Sequence, residues 1–349
     1  MSFGSNEGSP DWDTILSALS DYVDVDNILT PTQVPTPPPS TEVSSPPLLP
    51  YQLLDLVVET SPPASNLVAE DDVIISVSTA FFPGSGLHSC PPDLVILSSD
   101  SIHFFVHVST LLDASSNAFD GLLPPSPGNR GRVGPSLTVT EPSDVLNVVL
   151  HAVYDRSCSH YGHSFECLSA AVAAMRTYGL SFQRYISPST PLFSILLSHA
   201  PLRPIELYAL AAEHDLDDLA VPTSSHLLSF HLPSISEGMV DRIGSRYLKR
   251  LFFLHLGRTE ALKRILLQPL QMHTPTASCS IHDQRQVARA WAFSCAQLAW
   301  EARPDLSIWS IESALGPLEV QLTCDQCRDR LKEHVEIVKA QWSAVKRTI

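Results

Sequence analysis

The stretch from Asp93 to Phe119, DLVILSSDSIHFFVHVSTLLDASSNAF, changes its apolar period within one short run, and that change constrains the fold more than anything else in the chain. DLVIL is rich in β-branched and aliphatic residues, SSDS carries turn chemistry, and IHFFVH sets Ile102, Phe104 and Val106 against His103, Phe105 and His107. Strict alternation belongs to a half-buried strand, so the two runs predict a hairpin. VSTLLDASSNAFDGLL then turns to helical spacing and predicts a helix pair, PPSPGNRGRVGPS a long loop, and LTVTE a further strand. Pro142 opens a helix in which Val145, Val148, Val149 and Val153 share a face, and a second helix over FECLSAAVAAMRTYGL is stopped by Gly179. Beyond Ser187 only helical spacing is found, with segments near Leu192–Leu197, Pro204–His214, Ser224–Leu232, Met239–Leu256, Glu260–Leu267, Gln284–Glu301 and Arg328–Lys346. The expectation is an α+β fold over 71–185, with a short β-sheet and flanking helices, followed by an all-α region over 187–349.

Residues 1–68 have a different character. The run PTQVPTPPPSTEVSSPPLLP is dense in proline and has little to bury, which predicts a disordered acidic tail. Inside it, Ser9 and Pro10 could start a helix that lines up Trp12, Ile15, Leu16, Leu19, Tyr22 and Val23, an acidic amphipathic face suited to a partner's groove. The net charge of −15 is unevenly placed: Met1 to Asn129 holds 16 acidic residues and no Lys or Arg, whereas the remainder holds 21 acidic and 22 basic residues. Phosphate binding needs cations to displace counterions, so direct nucleic-acid binding is not expected. Seven scattered cysteines and the lack of a secretory leader pattern predict an intracellular protein, cytoplasmic or nuclear, and no apolar run reaches the roughly 20 residues that span a bilayer.

Catalytic signatures are missing: the chain contains no G-x-x-x-x-G-K-[ST], no G-x-S-x-G and no H-E-x-x-H. His103 and His107, four apart on a strand, stand about 13 Å from each other, too far for one metal. The one constellation with metal chemistry is Cys279-Ser-Ile-His282 with Cys324-Asp-Gln-Cys327. Two ligand pairs separated by 41 residues could supply three thiolates and an imidazole to a structural zinc. A reversible Cys324–Cys327 disulfide and inert buried thiols are the alternatives. Cys295 shares a face with Val287, Trp291 and Leu298 and is expected in a core.

The order strand, turn, strand ending in His107, helix and Ser-x-x-Phe in PDLVILSSDSIHFFVHVSTLLDASSNAF resembles a BTB/POZ domain, and VLNVVLHAVYD and LSAAVAAMRTYGL are similar to its later helices. IELYALAAEHDLDDLA and LTCDQCRDRLKEHVEIVKAQW resemble a fungal group of such proteins with a helical C-terminal region. The resemblance implies a non-catalytic protein-interaction scaffold or adaptor. It also admits a transcriptional regulator that recruits partners through its acidic N-terminal helix, or a substrate adaptor of a cullin ubiquitin ligase. In many dimeric members an Asp in the first strand pairs with a basic residue after the strand-ending His. Asp93 and His107 match here, but Val108 takes the basic position, which predicts a weak homodimer or a monomer that Val108→Arg would strengthen. The implied partner-binding residues are Asp93, His107 and Val108, together with Trp12, Ile15, Leu16 and Leu19 of the tail.

Overall fold

A computed structural model of the chain describes residues 75–123 and 136–349. The tail expectations, including the helix bearing Trp12, Ile15, Leu16 and Leu19, lie outside those residues. Four strands form one mixed sheet in the order β1-β3-β2-β4: β1 (Ser76–Val77), β2 (Leu94–Leu97), β3 (Ile102–Val106) and β4 (Ser136–Thr138). β2 and β3 make the expected antiparallel hairpin, with Leu94 opposite Val106 and Leu97 opposite His103. β1 and β4 join it in parallel on either side. The alternation sends Leu94, Ile96, Phe104 and Val106 into the core, each no more than 3% exposed.

After helix α1 (Val108–Ala114) the expected second helix does not form. Ala118, Phe119, Asp120 and Gly121 all have left-handed φ. Ser115 Oγ accepts from the Phe119 N–H at 2.7 Å and Asn117 Oδ1 from the Asp120 N–H at 3.0 Å, so side chains take the donors that a helix would use. The winding turn drops Phe119 into the core, where its ring stacks on Tyr178 at 4.0 Å. Helices α2 (Ser143–Val153) and α3 (Phe165–Thr177) follow as expected. Gly179 is required on two counts. Its φ is +66°, and a Cβ there would stand 2.6 Å from Asn117 Oδ1.

The rest is helical: α4 (Phe182–Tyr185), α5 (Pro191–Ser198), α6 (Pro204–Glu213), α7 (Asp217–Ser224), α8 (Glu237–Leu266), α9 (Ile281–Trp300), α10 (Ile308–Leu315) and α11 (Asp325–Ala344). The helix expected over 224–232 sits instead at α7, where Leu219, Ala220, Thr223 and Ser224 are buried. The two helices expected between Met239 and Leu267 are one element whose break falls at Gly244, with φ +68° and ψ 162°, while Gly257 stays helical. Between α6 and α7, Asp215 accepts from Arg246 and from the Tyr247 hydroxyl, and Asp217 at the start of α7 pairs with Arg250.

Among the described residues, buried side chains form two clusters. The first runs from Phe81 to Leu251 and includes Leu196, Leu207, Tyr208 and Leu219 of α5 to α7, so no gap in packing falls near residue 186. The second, from Leu262 to Trp342, packs the end of α8 against α9, α10 and α11. Arg258 lies between the two stretches of α8 that feed them. Only 2% exposed, it donates to the carbonyls of Pro304 and Val345 at 2.7 Å and Lys346 at 2.9 Å, and lies 4.2 Å over the Trp342 ring.

Candidate metal centre

The second cluster sets two helix N-termini side by side. Before α9, Thr276 and Cys279 exchange two backbone hydrogen bonds and close a tight turn. Ser280 then caps the helix: its hydroxyl accepts from the Asp283 N–H, and Asp283 accepts from the Ser280 N–H in return. Before α11, Cys324 occupies the cap position and Cys327 lies in the first turn. Arg328 holds that entry by donating to Leu322 O and Asp325. The buried Trp291, Cys295 and Leu298 of α9 and Leu331, Val335 and Val338 of α11 belong to the same core cluster, and Gln284 is buried on the same face of α9. Trp291 meets His334 edge-on at 4.9 Å, which fixes the height of one helix against the other.

At this junction His273, Cys279, Cys324 and Cys327 bring one ligand atom each to within 4.8 Å of all the others, an arrangement that could hold a metal ion. Cys279 Sγ and Cys327 Sγ are 3.6 Å apart, and His273 Nε2 is 3.2 Å from Cys327 Sγ and 3.4 Å from Cys324 Sγ. A tetrahedral ion with sulfur at about 2.3 Å and nitrogen at about 2.0 Å would set its donors about 3.8 Å apart for sulfur pairs and about 3.5 Å for a sulfur and a nitrogen. The donors are thus already near the edges of such a tetrahedron. His273 Nδ1 lies 2.7 Å from Thr274 O, which can only accept, so Nδ1 carries the proton and Nε2 turns its lone pair to the sulfurs. The buried Gln284 amide lies within 3.5 Å of both ring nitrogens and backs the imidazole.

The thiols differ in acidity. The Cys327 backbone N–H stabilises the Cys324 thiolate and holds that thiol down to about 7, and further hydrogen bonds from the neighbouring thiols help. Burial pushes Cys327 up to about 12, reinforced by the sulfurs beside it. Cys324 therefore ionises far more readily than Cys327, and a cation would draw out the Cys327 thiolate on binding.

One residue of the sequence-derived set must be replaced. His282 lies outside the cluster: it sits in the exposed first turn of α9, with Nε2 3.3 Å from Gln286 Nε2. It lies two residues from the buried Gln284, about 200° around the helix, so its ring points away from the sulfurs. His273, six residues before Cys279 on an irregular segment, takes its place. The regular C-x2-H spacing drew attention to the wrong histidine. The usable signal lay in MHTPTASC, where proline and small residues mark a chain free to fold back.

Of the residues expected to meet a partner, His107 and Val108 are buried and Asp93 is half-buried, while Trp12, Ile15, Leu16 and Leu19 lie outside the described residues. His107 is 4% exposed. Its Nδ1 pairs with the Tyr154 hydroxyl and its Nε2 with Cys90 O, both at 2.9 Å. Val108 is 2% exposed, and its N–H donates to Asp93 Oδ1 at 2.8 Å. His103 Nδ1 lies 3.1 Å from Ser76 O. These groups bond to other parts of the same chain, and because Val108 is buried Val108→Arg would place a guanidinium in the core.

No family model, curated protein or solved structure matches the chain. Among the described residues, no helix is long and apolar enough to cross a membrane.

Proposed function

We propose that the chain is a non-catalytic protein-interaction scaffold of the BTB type whose helical C-terminal part is locked by a structural zinc ion. The observation that carries the zinc reading is the donor set: three cysteines and one histidine, from a loop and two helix starts, with their ligand atoms within 4.8 Å. Four protein donors fill a tetrahedron and leave no position for water or substrate, which is the mark of a structural site. Sulfur-rich sets select zinc over hard cations such as magnesium or calcium, and the short mutual distances suit a single ion. The scaffold reading is supported by the order of elements around the β2–β3 hairpin and by the commitment of His103 and His107 to hydrogen bonds within the fold. Exposed Phe293, Trp300 and Trp309 on the zinc-closed part, the second of them 92% exposed, suit a protein that meets other proteins, since aromatic residues are enriched in such contacts.

The test is metal analysis of the full chain purified without chelator, followed by cobalt substitution. One zinc per chain and the visible absorption of tetrahedral cobalt bound to thiolates are expected. A chain isolated without zinc, or cobalt that gives only the weak spectrum of an octahedral ion, would defeat the metal reading. Light scattering across a dilution series tests self-association separately. A monomer or a dimer that falls apart on dilution is expected, and a dimer that persists would refute it.

A further inference from the structure

We propose that Cys279 and Cys327 are a site of oxidative modification, at which a hydroperoxide links the two sulfurs as a disulfide and expels the metal. This rests on the zinc reading above and adds regulation to the same site.

The geometry points to this pair. The two sulfurs lie 3.6 Å apart across 48 positions of sequence. Cys279 ends the turn before α9 and Cys327 sits in the first turn of α11, so a disulfide would take over the metal's task of joining those two segments. A bond between Cys324 and Cys327 would stay within one helical turn and leave the Cys279 turn untied. Exposure sets the order of events: Cys279 and Cys327 are each 2% exposed, whereas Cys324 is half-buried.

The Cys324 thiolate therefore attacks the hydroperoxide first. Its sulfur bonds to one oxygen, the O–O bond breaks, and the departing hydroxide takes a proton to become water. The Cys327 thiolate next attacks the Cys324 sulfur and displaces its hydroxyl as a second water, giving a Cys324–Cys327 disulfide. Cys279 then attacks the Cys327 sulfur, and Cys324 leaves as a thiolate. Two thiolates, one hydrogen peroxide and two protons have become one disulfide and two waters, the two electrons coming from sulfur. Only His273 and Cys324 remain as donors, too few to retain the ion.

The experiment uses the full chain loaded with zinc and carrying Cys90→Ser, because Cys90 is exposed and would react on its own. Hydrogen peroxide is added, released zinc is read with a chromogenic chelator, and the protein is alkylated and cut with trypsin without reductant. The expected result is near-complete zinc release, reversed by a dithiol, with peptide 265–285, which holds Cys279, joined to peptide 290–328 at Cys327. Oxidation confined to 290–328 with Cys279 alkylated, or disulfide formation with zinc retained, would overturn the proposal. Zinc analysis before peroxide separates the two readings: no zinc at the start defeats the metal assignment, while full zinc that survives thiol oxidation defeats only the switch. Cys279→Ser is a second arm, in which oxidation should stop at the internal Cys324–Cys327 bond, and linkage of any other cysteine to Cys327 counts against the scheme.

Discussion

Replacing His273 and His282 separately by alanine distinguishes the ligand set of the fold from the one suggested by sequence spacing. With free zinc at about a thousand times the dissociation constant, binding to the folded state alone contributes about 4 kcal/mol. Loss of one of four donors that weakens binding about a hundred-fold leaves about 1.4 kcal/mol, a deficit of about 2.7 kcal/mol. For a chain of this size each kcal/mol moves the melting temperature by about 2 to 4 °C, so His273→Ala should melt about 5 to 11 °C lower in zinc. In EDTA it should fall by only about 3 to 6 °C more, as its residual 1.4 kcal/mol of binding is lost, whereas the parent should fall by about 8 to 16 °C. His282→Ala alters an exposed side chain that lies beside Gln286, and should stay within about 0.5 kcal/mol of the parent and bind zinc as before. Differential scanning fluorimetry with and without EDTA, paired with metal analysis, reads both variants. If His282→Ala lost zinc, or His273→Ala melted like the parent in both buffers, the assignment of His273 would be wrong.

Three further outcomes are expected. Arg258→Met removes three charge-assisted hydrogen bonds to carbonyls and a ring contact, each bond being worth about 1.5 to 3 kcal/mol before the relief of burying no charge; a net loss of about 2 to 4 kcal/mol in urea unfolding is expected, and a neutral result would contradict it. Val108→Arg should destabilise by about 3 to 5 kcal/mol by burying an unpaired cation, and a soluble variant that dimerises more tightly by sedimentation would restore the interface reading. His151 and His334 are held below their ordinary value of 6.5, chiefly by burial. The unfolded chain therefore gains protons first, so stability should fall as pH drops below about 6.5 and level off beneath the lowered folded values. Urea midpoints of His273→Ala in EDTA across that range isolate this effect from metal loss, and a midpoint that rises on acidification would oppose it.

The sequence by itself determined what depends on local spacing. Alternation in DLVIL and IHFFVH built the hairpin, and the apolar face of PSDVLNVVLHAVYD built α2, because a strand or helix with one greasy side has few other ways to bury it. Three of the four residues of the candidate metal cluster were legible for the same reason, since Cys279, Cys324 and Cys327 stand in short spacings at helix starts. Only the tertiary structure decided the rest. Ser115 and Asn117 competed with a helix over 116–122 through hydrogen bonds that no period reveals. The first core took in α5 to α7 because those helices bury faces against the α+β part, a match set by shape and not by position in sequence. His273 replaced His282 because a helix turns its first residues by a fixed angle away from the sulfurs, whereas an irregular segment can carry an imidazole back to them.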